Sequence, residues 1–167
     1  MKKVLMLSAL GMSLFFAACN SGEKSADTTT TENKEAAPAT ATEGLNNTIN
    51  LTANDQLKFD QIELKVKAGE KVTLTLTNIG KMAKEAMGHN FVLLKGGTDL
   101  DAFAAKAVQA TPDHIPADMS DVIIAHTKLL GPGESDTIEF TVPAGDYTFI
   151  CSFPGHYKSM VGVLTAE

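Results

Sequence analysis

From Asn47 onward, apolar and polar residues alternate along the chain with a period of two. Ile49 and Leu51 alternate with Asn50 and Thr52; Ile62, Leu64 and Val66 with Glu63, Lys65 and Lys67; Val72, Leu74 and Leu76 with Lys71, Thr73, Thr75 and Thr77. Alternation of this kind predicts strands with one buried face. Ala68-Gly69-Glu70 marks the turn between two of them, and Asn78-Ile79-Gly80 closes the next. His89 to Leu94 continues the pattern until Gly96-Gly97 ends it. The period then changes. Leu100, Phe103, Ala104, Ala107 and Val108 fall at helical spacing, and Thr98 with Asp101 three residues on resembles a capping box with a shorter acid. One helix is predicted there, followed by a loop through Pro112 and Pro116. Strands resume at 121–125, 135–142, 147–151 and 161–165, with turns at Gly131-Pro132-Gly133 and Pro143-Ala144-Gly145-Asp146. Many short strands around one excursion helix predict an all-β fold, a Greek-key β-sandwich.

The first 44 residues do not share the pattern. Met1-Lys2-Lys3 is basic, Val4 to Phe16 is apolar or small, and Ala17-Ala18 lead into Cys19. This reads as a secretion signal, too short to span a membrane as a helix. The small residues before Cys19 resemble the lipobox of bacterial lipoproteins, which implies a signal peptide over 1–18 and lipid on Cys19. Residues 19–44 are rich in Thr, Ala, Glu, Lys and Ser and lack large apolar side chains, as expected of a flexible linker. One folded domain, 45–167, remains. Asn20 after Cys19, rather than Asp, points to the outer membrane under the sorting rule of well-studied enteric bacteria.

The formal net charge is -6, and all the cations are lysine, since the sequence holds no arginine. That balance excludes a nucleic-acid surface and favours partners with a basic face. Cysteine usage narrows the chemistry further. There are two, Cys19 and Cys151; if lipid takes the first, the second is an unpaired thiol in a compartment that permits disulfides. A metal ion accounts for it.

Cys151-Ser152-Phe153-Pro154-Gly155-His156-Tyr157-Lys158-Ser159-Met160 packs a thiol, an imidazole and a thioether into one loop between two predicted strands. Soft sulfur ligands with imidazole select copper over magnesium or calcium, and two His with one Cys and a distant axial Met form the electron-transfer copper set. The second histidine should lie on a rigid element. His89, at the start of a predicted strand, fits; His114 lies in a Pro-flanked polar loop and His126 at a Lys/Thr strand end, where both are expected to be solvated.

Four blocks in order, Asn54-Asp55-Gln56, Met87-Gly88-His89-Asn90, Val122 to Leu129, and Cys151 to His156 with Met160, identify a resemblance over residues 47–167 to the azurins, blue copper proteins of the cupredoxin family. The resemblance implies one copper ion held by His89, Cys151, His156 and Met160, with the Gly88 carbonyl as a second distant axial contact. It implies that Asn90 hydrogen-bonds across to the ligand loop. It also implies an apolar electron-transfer patch of Leu57, Met82, Met87, Phe153 and Pro154 around His156. Partners are then c-type cytochromes or respiratory and denitrification enzymes, met from a lipid anchor facing the periplasm. The azurin disulfide is missing, with Asn47 and Glu70 at its positions, and Asn78 replaces a histidine found in many azurins. Two other functions share these residues. A copper storage or delivery protein would need exchangeable ligands, and a thiol enzyme using Cys151 and His156 would need a third group to orient the base.

Overall fold

The computed structural model describes residues 45–167. The expected signal peptide, Cys19 and the expected linker lie outside the described residues. Among the described residues nine strands form two sheets: β1 Thr48–Asn54, β2 Lys58–Phe59, β3 Glu63–Val66, β4 Val72–Asn78, β5 Val92–Leu94, β6 Ile123–His126, β7 Ser135–Phe140, β8 Gly145–Ile150 and β9 Val161–Ala166. The first sheet has the order β2-β1-β4-β7 and the second β3-β9-β8-β5-β6. β1 runs parallel to β4 and β3 parallel to β9, while the other pairs are antiparallel. Chain crossings between two facing sheets make this a Greek-key sandwich.

Alternation determines which residues face inward. Val72, Leu74 and Leu76 of β4 are fully buried while Thr73, Thr75 and Thr77 are half-buried, and Ile49, Leu51 and Ala53 do the same on β1. Ile62 breaks the expected series: it precedes β3 and is 56% exposed. β5 does not alternate, because both of its faces are covered. Leu93 joins the core between the sheets, whereas Val92 and Leu94 join a second apolar cluster with Phe103, Ala107 and Ile150. That second cluster is where the excursion helix packs, so the helix shields the outer face of the second sheet.

The helix α2 spans Leu100–Ala107 and buries Phe103 and Ala107. Its cap differs from the sequence expectation. Asp99, not Thr98, accepts from the Ala102 N–H at 3.0 Å, and the Thr98 hydroxyl donates to the Lys95 carbonyl instead. An Asp at the N-cap satisfies one orphan donor and places a negative charge on the positive end of the helix. A second short helix, α1 at Lys84–Met87, precedes Gly88. Four residues are too few to display a helical period, although Lys, Glu, Ala and Met all favour helix. Ala117–Met119 adds one 3-10 turn.

Asn47, at the aligned position of the azurin disulfide, ties the entry to β1 to the turn between β3 and β4. Its Oδ1 accepts from the Lys67 N–H at 2.8 Å, its Nδ2 faces the Lys67 and Lys71 carbonyls at 3.4 and 3.3 Å, and its own carbonyl accepts from the Thr73 N–H at 2.7 Å. Hydrogen bonds thus join two segments that the resemblance joins by a cystine. Asn47→Ala removes the side-chain bonds and should cost about 1–2 kcal/mol, at roughly 1 kcal/mol for a bond and less for the long ones. A urea midpoint equal to wild type would show that the clamp is not holding this end of the sandwich.

Candidate metal centre

His89, Cys151 and His156 come from two places in the fold. His89 follows α1 and Gly88, and its N–H and C=O exchange hydrogen bonds with Leu130 at 3.1 and 2.8 Å, an isolated bridge just ahead of β5. Cys151 is the first residue beyond β8, and its N–H donates to the Met160 carbonyl at 3.0 Å. That bond closes the loop at its neck, directly across from the last predicted ligand. Inside the loop the chain turns helically: His156 N–H donates to the Phe153 carbonyl at 3.0 Å, and Ser159 and Met160 N–H donate to the His156 carbonyl at 3.0 and 2.9 Å. Five residues of turn therefore return the chain from His156 to the neck beside Cys151.

The ligating atoms of these three residues all lie within 4.8 Å of one another. The Cys151 sulfur is 3.8 Å from His89 Nδ1 and 3.6 Å from His156 Nδ1, with the imidazole centroids 5.1 Å apart. The spacing can be tested against a metal. Metal–sulfur and metal–nitrogen bonds of about 2.3 and 2.0–2.1 Å, opened to between tetrahedral and trigonal angles, give S···N separations of roughly 3.5–3.8 Å. The residues fit a first-row ion. His89, Cys151 and Met160 are fully buried and His156 is 4% exposed. His89 Nε2 is buried with no hydrogen bond of its own, although the Asn54 carbonyl nearby favours a proton there. The donor set of two imidazoles and a thiol, in a loop whose neck carries the buried Met160, is that of copper.

Burial shifts each group. It lowers the pKa of His89, partly opposed by the Asn54 carbonyl and the Asp55 carboxylate, and it lowers His156 to about 4 with help from His89 and His114. It raises Cys151 to about 11, against the pull of the Asn90 and Phe153 backbone N–H groups. The imidazoles are thus neutral, as a metal requires, while the thiol must release its proton on loading.

Around these residues the other predicted positions fall as follows. Gly88 is buried, and a methyl there would meet the Lys84 carbonyl at 2.7 Å and Leu129 Cγ at 2.9 Å, so the segment entering His89 approaches its neighbours more closely than any larger residue permits. Asn90 Oδ1 accepts from Ser152 N–H at 2.8 Å, and its Nδ2 donates to Ser152 Oγ and to the Asp113 carbonyl, both at 2.8 Å. Phe153 packs 4.7 Å from the His156 ring. Leu57, Met87 and Pro154 are half-buried and Met82 is 45% exposed. Asn78 is buried, donates to the Leu130 carbonyl and accepts from Gly80 N–H, so no titrating group replaces the histidine of many azurins.

His126 is exposed, as expected, but His114 is not. It is buried, its Nδ1 lies 3.0 Å from the Ala107 carbonyl, its ring meets Phe153 edge-on at 5.2 Å, and its own carbonyl accepts from Ser152 Oγ at 2.8 Å. A polar Asp-His pair between prolines gave no sign of burial, because the partners come from α2 and from the ligand loop. Ser152 and Tyr157 carry no sequence signal beyond their place beside the ligands.

Comparisons with known proteins agree on one group. The family model described as copper-binding proteins, plastocyanin/azurin family, matches residues 46–167. Azurin-1 of Alcaligenes xylosoxydans xylosoxydans is 40% identical over 122 residues, 70% of this chain and 94% of that protein. Among solved structures, reduced auracyanin from Roseiflexus castenholzii superposes with a TM-score of 0.67 at 40% identity, covering 74% of this chain and 99% of that one. Auracyanin A, a "blue" copper protein from Chloroflexus aurantiacus, gives 0.65 at 37% identity over 72% of this chain and 98% of that one.

The shifted imidazoles make metal-free stability depend on pH in a definite direction. Above the ordinary value of 6.5 both folded and unfolded chains hold them neutral; below it the unfolded chain takes up protons that the folded chain refuses until about 4 at His156. The metal-free protein should therefore lose stability as pH falls from 6.5 toward 4, and His156→Gln should make that loss shallower. Urea midpoints measured across this range check it, and parallel curves for the two proteins would contradict the assignment.

Proposed function

The chain belongs to the plastocyanin/azurin family of copper-binding proteins, and from that premise we propose that it carries single electrons between redox proteins of the bacterial cell envelope while tethered by lipid on Cys19. It is a blue copper electron-transfer protein with one site per chain, built on His89, Cys151, His156 and a methionine. A bound copper ion supplies the one-electron Cu(I)/Cu(II) couple. Met160 is our assignment for the methionine, because its backbone closes the loop onto Cys151. In the same reading the Gly88 carbonyl would be a further, weaker contact to the ion, and Asn90 keeps the His89 and Cys151 segments in register.

The observation that carries this reading is closure. Three ligands are fully buried and the fourth is 4% exposed, which shields the site from substrate and water, whereas a catalytic metal needs an open place for one of them. A site that keeps its ligands fixed in both oxidation states changes little on electron transfer. His156, the one ligand with any exposure and with its ring against Phe153, is the entry point for the electron in this reading. Phe153, Pro154, Met82, Met87 and Leu57 form the apolar docking patch, suited to small and short-lived complexes. By resemblance the partners are c-type cytochromes or respiratory and denitrification enzymes. The lipobox-like sequence before Cys19 supports a lipid-anchored protein facing the periplasm, with Asn20 favouring the outer membrane. Among the described residues no helix is long and apolar enough to cross a membrane.

Adding Cu(II) to the purified protein should give an intense blue colour from thiolate-to-copper charge transfer, and reduced c-type cytochrome should bleach it. Cys151→Ser should abolish the colour and leave cooperative unfolding intact, since the core is made by the alternating strands. A colourless copper complex of the wild-type protein would overturn the assignment. Cys19→Ser should move the protein from the membrane to the soluble fraction with its colour retained, because the acyl chains of a lipoprotein bind membranes far more strongly than a single chain does. Retention in the membrane fraction would refute the anchor.

A further inference from the structure

Among the described residues, the Cys151 sulfur is the only side-chain partner of the His156 imidazole. The ring therefore takes its orientation from packing and from the backbone that carries it. On one side Phe153 supplies the packing, itself backed by His114. The other side is the stretch between His156 and Met160, where Lys158 and Ser159 are exposed and only Tyr157 packs inward. The Tyr157 ring joins the second apolar cluster, the one α2 covers, and its hydroxyl donates to Asp101 Oδ1 in the first turn of that helix. Lys158 Nζ lies 3.9 Å from the same oxygen and 5.7 Å from the centre of the Tyr157 ring. Helix α2 is in turn held at both ends, by the Asp99 cap and by a Lys106–Asp118 ion pair at 2.7 Å.

We propose that Tyr157 and Asp101 form a latch, a pair of positioning residues that fixes the His156–Met160 turn against α2 and so holds His156 in one orientation in both oxidation states. The excursion helix then serves the metal centre as well as the fold. The latch rests on the electron-carrier function given above. The Asp101 side chain is 79% exposed, and a hydrogen bond to an exposed carboxylate adds little to global stability. Its effect falls instead on the one segment it ties down, which makes it separable from general folding.

Tyr157→Phe keeps the ring and removes the donor; Asp101→Ala removes the acceptor from an exposed position. In the metal-free protein, amide hydrogen exchange at Ser159 and Met160, whose N–H groups close the turn on the His156 carbonyl, should accelerate roughly five- to tenfold in each, as expected of a locally opened segment. Amides of β4 and β8 should exchange at the wild-type rate. In the copper-loaded protein both variants should show a shifted reduction potential and a several-fold slower electron exchange between reduced and oxidised copies. The double variant should match either single one, since the two residues act as a unit, and Asp101→Asn, which retains an accepting oxygen, should restore most of the behaviour. Unchanged loop amides in both single variants, effects that sum in the double, or faster exchange throughout the strands would each overturn the latch. A wild-type protein that binds copper without turning blue would instead overturn the carrier function, and the metal-free exchange data would still judge the latch.

Discussion

Two imidazoles and a thiol share a space inside an apolar core, and that single constraint organises the molecule. Burying polar groups without partners is unfavourable, yet His89, Cys151 and His156 are almost wholly buried and face mainly one another. Burial pushes the imidazoles toward neutrality and the thiol toward its protonated form. Only a cation that accepts two nitrogens and a thiolate resolves the arrangement fully, and the separations match one. A structural core would place apolar side chains here at no such cost.

Holding that arrangement falls to two separate segments, the chain through His89 and the loop from Cys151, brought together by β5 and β8 as neighbours in one sheet. Strand pairing alone ends at Val92 and Ile150, short of both ligands. Beyond that point side chains continue the registration. Asn90 bonds to both the backbone and the hydroxyl of Ser152, Ser152 bonds onward to the His114 carbonyl, and Asp113 accepts from Leu129 N–H. The 112–115 loop is thus drawn into the site's support, which is why His114 is buried. Buried networks of this kind fix one arrangement when every member is satisfied.

The sandwich was legible because its strands obey period two and its turns carry Gly, Pro and Asn. The ligands were legible because Cys151, His156 and Met160 lie within one short loop and His89 precedes a strand. What could not be read depended on contacts between distant segments. Thr98 and Asp99 are both acceptable caps, and only the path of the chain decides that Asp99 takes the role while Thr98 turns back to Lys95. His114 reads as solvated because it follows Asp113 in a Pro-flanked loop, whereas its neighbours in space are Ala107, Phe153 and Ser152. Ile62, by contrast, followed the alternation yet faces solvent, since it lies one residue before β3 begins.

Closure also separates two uses of copper that the donor set alone does not. An ion can be handed on only if its ligands part, and here parting means opening a loop whose neck is bonded between Cys151 and Met160, whose interior turns on the His156 carbonyl, and whose outer side is tied to α2 through Tyr157. An electron needs none of this. It needs a short route from solvent to the site, and in the function proposed above His156, 4% exposed and packed against Phe153, is that route. Each feature that makes ion exchange slow, from the buried sulfur to the tethered turn, also limits how far the ligands can move between oxidation states. The geometry therefore favours passing electrons for the same physical reason that it disfavours passing metal.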